Sequence, residues 1–518
     1  MANARTRALW QDSALRHMPG GLAGNASVEV VVIGAGIAGL TTGCLLAREG
    51  RSVMVLDDGP VAGGETGRTT AHLSTALDNR YLELERMHGP AAVRLAAESH
   101  AAAIDRIEQF VREEKIRCDF VRLDGYLFNP PESPVAVSLA DELEAARRAG
   151  LADVELVTAT PVPLLAAGPA LRFPRQAQLH PLKYLAGLAG ALVRAGGRLH
   201  APTHVAEVRG DGPMEVVAHN GAVVTCQHVV VATNAPINDR LTLAAKQAAC
   251  RTYVIAAEVP HGAVPSALYW DTLDPYHYIR VAAGRGRDHL VVGGEDHRTG
   301  RADDAELRYA RLEAWARAHF PQMGPVQHRW SGQIMEPVDG LAYIGRDPRG
   351  KQELYLATGD SGHGLTHGTI AGLLIADLVQ GRANPWAVLY DPARLPPEAA
   401  VNVVAEGLTE LGQYTDWFTG ADMPLAKVAR NEGAIIRQGA LKAAVYRDAQ
   451  RQLHACSAIC PHLGGIVRWN HGEQSFDCPV HGSRFDRRGK VINGPANLDL
   501  GPVQLAPTAG QTGVRPVP

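Results

Sequence analysis

The stretch "VEVVVIGAGIAGLTTG", Val28 to Gly43, decides the architecture of the N-terminal part of this chain. Its β-branched run, Val28 to Ile33, reads as a strand buried on both faces of a parallel sheet. Gly34-x-Gly36-x-x-Gly39 follows the strand and opens a helix that ends at Gly50, and "SVMVLDD" (Ser52 to Asp58) reads as the next strand. In such a strand–turn–helix the first glycine permits the turn. The second lets a pyrophosphate approach the backbone, and the third allows close helix–strand packing. Phosphates then sit at a helix N-terminus, where free N–H groups and the helix dipole favour negative charge. Asp57 closes the second strand 18 residues after Gly39, placed to accept from a ribose hydroxyl. The pattern predicts an α/β, Rossmann-like domain that binds a dinucleotide.

Working outward, 518 residues exceed one ordinary core, so two or three domains are expected. A composition of 46% hydrophobic and 20% charged residues is that of a globular protein. The net charge of −3 argues against a general nucleic-acid or anionic-membrane binder. Val30 to Ala47 carries no charge, but its glycines at 34, 36, 39 and 43 mark it as the dinucleotide-binding unit rather than a transmembrane segment. The first 27 residues hold Arg5, Arg7 and Arg16 without an apolar core, so no secretory signal is expected. Cys44, Cys118, Cys226, Cys250 and Cys456 are scattered and read as buried thiols. A cytoplasmic location follows from this reading.

FAD is the expected dinucleotide, and since only one such glycine fingerprint is present, a flavoprotein with its own NAD(P)H domain is disfavoured. "GGETGRTTAHLS" (Gly63 to Ser74) supplies backbone donors near the cofactor, with Arg68 and Thr69 as contacts. Further contacts are expected at Val205 and at Thr233 in "HVVVATNAP". The turn Gly359-Asp360-Ser361-Gly362-His363-Gly364 leads into a helix expected to start near Thr366, with its N-terminus toward the flavin. His363 and His367 flank that helix start and are candidate substrate contacts.

"VVVIGAGIAGL", "VMVLDD", "VVVATNAP", "DGLAYIG" and "ATGDSGHGLTHGTIAG" together resemble the D-amino-acid oxidase/glycine oxidase-like FAD-dependent oxidoreductases. The resemblance implies FAD-binding segments at about 28–80, 181–250 and 331–395. It also implies an antiparallel β-rich substrate domain at about 81–180 and 251–330, and hydride removal from a carbon bearing an amine. In that family an arginine before the "DGLPxIG" segment often grips a substrate carboxylate; here Ile334 stands in its place. Arg280 is the candidate replacement, since a guanidinium binds carboxylates bidentately, and Tyr278 beside it is a candidate pocket residue.

Past the prolines at 392, 396 and 397 the pattern changes. Residues 1–395 form the oxidoreductase, 396–423 a linker and 424–518 a second domain of short strands. "CPHLGGIVRWNHGEQSFDCPVHGSRFD" pairs Cys460 with His462 and Cys478 with His481, with 15 residues between the pairs. Such a set could bind zinc or a [2Fe–2S] cluster. Zinc fingers group their cysteines and their histidines, whereas here each loop offers one of each, which suits two thiolates on one iron and two imidazoles on the other. The segment resembles a Rieske domain. Gly465 and Val480 stand where some Rieske domains carry a disulfide, and Phe485 offers no hydroxyl to the cluster. With Ser483 as donor, the expected potential lies in the lower half of the roughly −150 to +300 mV Rieske range.

A flavin takes two electrons and the cluster passes one at a time. Their pairing predicts a dehydrogenase that oxidises an amine or amino-acid-like small molecule and hands electrons singly to an external acceptor protein or quinone. The alternatives are a reductase fed by an external donor through the cluster, or a sensing or structural cluster.

Overall fold

The computed structural model describes residues 6–13, 19–131, 137–166, 168–210, 212–237, 243–351, 353–419 and 422–505. The quoted stretch forms strand β1 (Val30–Ile33), wholly buried, and helix α1 (Ile37–Arg48). β1 pairs in parallel with β2 (Val53–Leu56) on one side and with His228–Val231 on the other. They are the centre of a six-stranded sheet that runs from Arg198–His200 to Leu354–Thr358 and an antiparallel edge strand, Tyr343–Arg346. Helix α2 (Gly364–Val379) crosses α1 at close range. The reason lies in two glycines: a Cβ on Gly368 would lie 2.5 Å from Ile37 Cγ2, and one on Gly372 2.3 Å from Thr41 Cγ2. Helix α2 starts at Gly364, two residues before the Thr366 expected from sequence.

A nine-stranded sheet stands over the C-terminal ends of these strands. Its long members are β3 (Gln247–Pro260), β4 (Arg287–Arg298) and β5 (Val326–Pro337), all antiparallel, with β3 in the middle. It takes in residues 247–250 and 331–337, which sequence assigned to the FAD-binding segments. Helix Ala305–His319 covers its outer face with Tyr309, Leu312 and Ala316.

The C-terminal domain has two small antiparallel sheets. One comprises Glu432–Gln438, Leu441–Arg447 and Leu453–Ser457; the other runs from Arg468–Asn470 to Val491–Asn493. The segment expected as a linker contains helix α3 (Ala400–Gln413). Its buried side holds Glu406, which receives both Arg298 guanidinium nitrogens of β4 at 2.9 and 2.8 Å. Its other side exposes Val401, Val404, Leu408 and Leu411. Among the described residues no helix is long and apolar enough to cross a membrane.

Candidate functional site

One deep cavity begins at the β1–α1 turn and ends at the nine-stranded sheet. Gly34 has φ of +109°, and a Cβ there would meet Ala232 O at 2.3 Å, so only glycine makes this turn. Gly36 lines the cavity, while Gly39 does not: its Cβ would fall 1.9 Å from Gly34 O, so its role is the close packing beneath the turn. Gly36 gives helix α1 no side-chain cap and its first turn has no acid; Ile37 N donates to Thr66 Oγ1 at 3.3 Å, and the N–H groups after it are left for an anion. Asp57, in the lining of the cavity, accepts from Ala35 N at 2.6 Å and Gly59 N at 2.8 Å. A side-chain-free cradle, an uncapped helix end and an acid at the second strand fit the diphosphate and ribose of FAD.

Thr69 and Thr233 line the same cavity. Arg68 does too, but its guanidinium is held by Ser331 O at 2.6 Å and Thr6 O at 2.8 Å. Val205 lines it as well, although its carbonyl receives the Asn497 amide at 2.9 Å. Gly362 and Gly364 reach the cavity; Gly359 packs instead on Pro337, and Thr366 donates to His363 O at 3.1 Å.

His363 lies 3.1 Å from Asp78, whose other oxygen accepts from Tyr276 at 2.6 Å. Burial opposes a charge on His363, but Asp78 holds its pKa above the ordinary value. His367 faces the cavity with its Nδ1 2.9 Å from Asp360 O, and burial pushes its pKa down to about 3. Tyr278 is in the wall, its hydroxyl 2.6 Å from Thr252 Oγ1. Arg280, expected as a carboxylate grip, does not line the cavity. Its guanidinium donates to Ala71 O at 2.8 Å and Leu179 O at 3.1 Å and stacks on Trp10, so it ties backbone segments together. Sequence missed Asp78 and Asp296, which come from two separate segments.

The four cluster residues do converge. Cys460 N bonds Gly465 O at 2.8 Å and Gly464 N bonds Cys460 O at 3.0 Å; Cys478 N bonds Ser483 O at 2.8 Å and Gly482 N bonds Cys478 O at 3.0 Å. The two loops therefore close in the same way, with glycines at φ of +78° and +76°. The two thiols face one another, and the His462 and His481 rings meet edge-on with centroids 4.9 Å apart. His481 Nδ1 is buried without a hydrogen-bond partner, as a metal-directed nitrogen would be. Two thiols against one another and two imidazoles against one another suit a [2Fe–2S] centre, with two ligands per iron. The residues fit the cluster. Ser483 faces Cys460, and Phe485 packs in the core behind. A Cβ on Gly465 would meet Val480 at 2.6 Å, an apolar contact where sequence excluded a disulfide.

One strand separates the two sites. Gln333 of β5 lines the cavity, and its side-chain amide donates to Gly482 O of the second cluster loop at 3.0 Å. Its backbone N–H donates to Glu65 at 2.7 Å, and Glu65 accepts from Asn493 at 2.9 Å. On the far side Glu410 of α3 lies 3.3 Å from His481 Nε2.

Comparison with known proteins agrees with this geometry. Residues 29–378 match the family "FAD dependent oxidoreductase" and 421–504 match "Rieske [2Fe-2S] domain". YhfW of Bacillus subtilis, which carries a Rieske 2Fe-2S iron-sulfur designation, is 29% identical over 92% of this chain and 93% of its own. Gamma-glutamylputrescine oxidoreductase of Escherichia coli is 27% identical over 69% of this chain and 84% of its own. Glycine oxidase from Geobacillus kaustophilus shares the fold, with a TM-score of 0.59 and 19% identity, over 72% of this chain and all of its own. The chain belongs to the FAD dependent oxidoreductase family and carries, C-terminal to that domain, a Rieske domain that binds a [2Fe–2S] cluster.

Proposed function

We propose that this chain is a dehydrogenase for an amine or amino-acid-like substrate whose electrons leave singly through the cluster to an external acceptor, a protein or a quinone, in the cytoplasm. The flavin supplies hydride acceptance from the carbon beside the amine nitrogen. Around it, the chain's own residues close the chamber: Tyr278 and Tyr276 form a wall, and His363, its Nε2 3.1 Å from both the carboxylate and the N–H of Asp78, borders it. The observation that carries the reading is Gln333, one residue that borders the FAD cavity and hydrogen-bonds the cluster loop. An oxidase that delivers its electrons directly to oxygen has no use for that contact.

The test is anaerobic mixing of the holoprotein with primary and secondary amines and amino acids, following flavin and cluster absorbance separately. Flavin bleaching followed by cluster bleaching is expected. A reduced flavin beside a cluster that stays oxidised would sink the relay. Bleaching by dithionite alone would sink the substrate class.

A further inference from the structure

At its sheet end the cavity is lined by the carboxylates Asp78, Asp296 and Asp360. Among the described residues its only Lys or Arg is Arg68, already held by Ser331 O and 3.8 Å from Glu473. Asp78 is matched by His363 and Tyr276. Asp360 accepts from Met335 N at 2.9 Å. Asp296 differs: its Oδ1 is buried with no hydrogen-bond partner.

Asp296 faces the cavity because β4 bulges there. Arg251 of β3 sits opposite His297 and Tyr253 opposite Gly294, so Glu295 and Asp296 together oppose Thr252. Glu295 takes φ of +62° to make this step. A bulge of this kind re-aims a side chain next to a site. Around Asp296 stand Thr252, Asp78, Arg308 and His277, and burial pushes its carboxyl up to about 7. Tyr276 and Tyr278, with centroids 5.6 Å apart, and Trp270 line the same chamber. Thr252 hydrogen-bonds the Asp296 carboxylate but leaves its Oδ1 unmatched, and with the aromatic faces this carboxylate in the cavity wall forms a seat for an organic cation.

A nitrogen that stays protonated on the carboxylate is not the one that reacts. Hydride leaves a carbon beside a neutral amine, whose lone pair is needed to form the C=N bond. A substrate with one nitrogen would have to leave its charge on Asp296 before it reacts, whereas one with two nitrogens keeps the ammonium seated throughout. We propose that the substrate is a diamine or polyamine: one neutral amine end is oxidised at the flavin while a second, ammonium end binds Asp296. The C–H beside the reacting nitrogen leaves with its electron pair to FAD and the N–H proton goes to solvent. The resulting imine is hydrolysed by water to an aldehyde and ammonia. This inference rests on the amine reading above and narrows it.

Three probes of one length separate the cases: putrescine, butylamine and gamma-aminobutyrate, ending in ammonium, methyl and carboxylate. Anaerobic flavin reduction by the holoprotein should be at least tenfold more efficient with putrescine than with either other probe. Asp296→Asn should raise the putrescine KM at least tenfold with little change in kcat, and so cut the preference for putrescine over butylamine by the same factor. Flavin content and thermal unfolding report on folding of the variant; if it does not fold, the ranking in the unsubstituted protein decides. Equal or better reduction by butylamine or gamma-aminobutyrate overturns the inference while leaving the amine reading standing. A kcat loss shared by putrescine and butylamine also overturns it, because Asp296 would then act on the reacting nitrogen. If no probe reduces the flavin, both readings fall.

Discussion

Glu410 shows how much one carboxylate can matter next to a metal ligand. Its Oε2 is 3.3 Å from His481 Nε2, and both side chains are buried. A carboxylate behind a ligating histidine fixes the ring and makes it a richer donor, which stabilises the oxidised metal. Glu410→Gln is therefore expected to raise the cluster midpoint potential by tens of millivolts, as read by an EPR-monitored redox titration. An unchanged potential would mean that the contact only packs. Cys460, His462, Cys478 and His481 were legible in sequence because short loops fix their spacing locally. Glu410 was not, because it lies about 70 residues away on another element. Asp296 was hidden for a different reason: its direction depends on a one-residue bulge, which strand alternation alone does not foretell. Arg280 misled because a buried guanidinium serves backbone carbonyls as readily as a substrate carboxylate.

Among the elements, β1, α1 and β2 followed from pattern alone, since a β-branched run, a glycine turn and an apolar helix all point to one answer. The resemblance implies a substrate-domain segment at about 251–330, whereas β3 begins at Gln247 and β5 runs on to Pro337, because a strand is bounded by its pairing and not by a motif. The helix within the expected linker was missed since flanking prolines dominate that stretch. The turn after β4 shows how tightly elements from the two domains meet. Gly300 has φ of +73°, and a Cβ there would lie 2.9 Å from Pro479 N and 3.0 Å from Cys478 C. Gly300→Ala is expected to push the second cluster loop off its seat. Stopped-flow absorbance should then show normal flavin reduction by substrate and cluster reduction slowed at least tenfold. Unslowed cluster reduction would show that the seat is not on the electron path.

Across the whole molecule, the two domains share a buried charge centre. Glu473 of the C-terminal domain lies 3.8 Å from both Arg68 and Arg251 and accepts from Ser331. Burial pushes its pKa up, but Arg68 and Arg251 outweigh it and hold the carboxyl at about 2. With a folded value below the ordinary 4.5, its stabilisation is complete above about 4.5 and is lost as pH falls toward about 2. Thermal unfolding of the holoprotein should therefore drop over that acid window. Glu473→Gln, which strands two buried guanidiniums, should cost about 3–5 kcal/mol at neutral pH and flatten the dependence on this group. A variant as stable as the parent would show the arginines to be satisfied elsewhere.

The contact from Gln333 to the Gly482 carbonyl has one more consequence, for dilution. An electron acceptor tethered and seated in the same chain is present at an effective concentration that does not depend on how much protein is in the cell. Under the proposed relay, the step between flavin and cluster should proceed at one rate from nanomolar to micromolar protein. Only the final transfer to the outside acceptor would remain a matter of chance encounter.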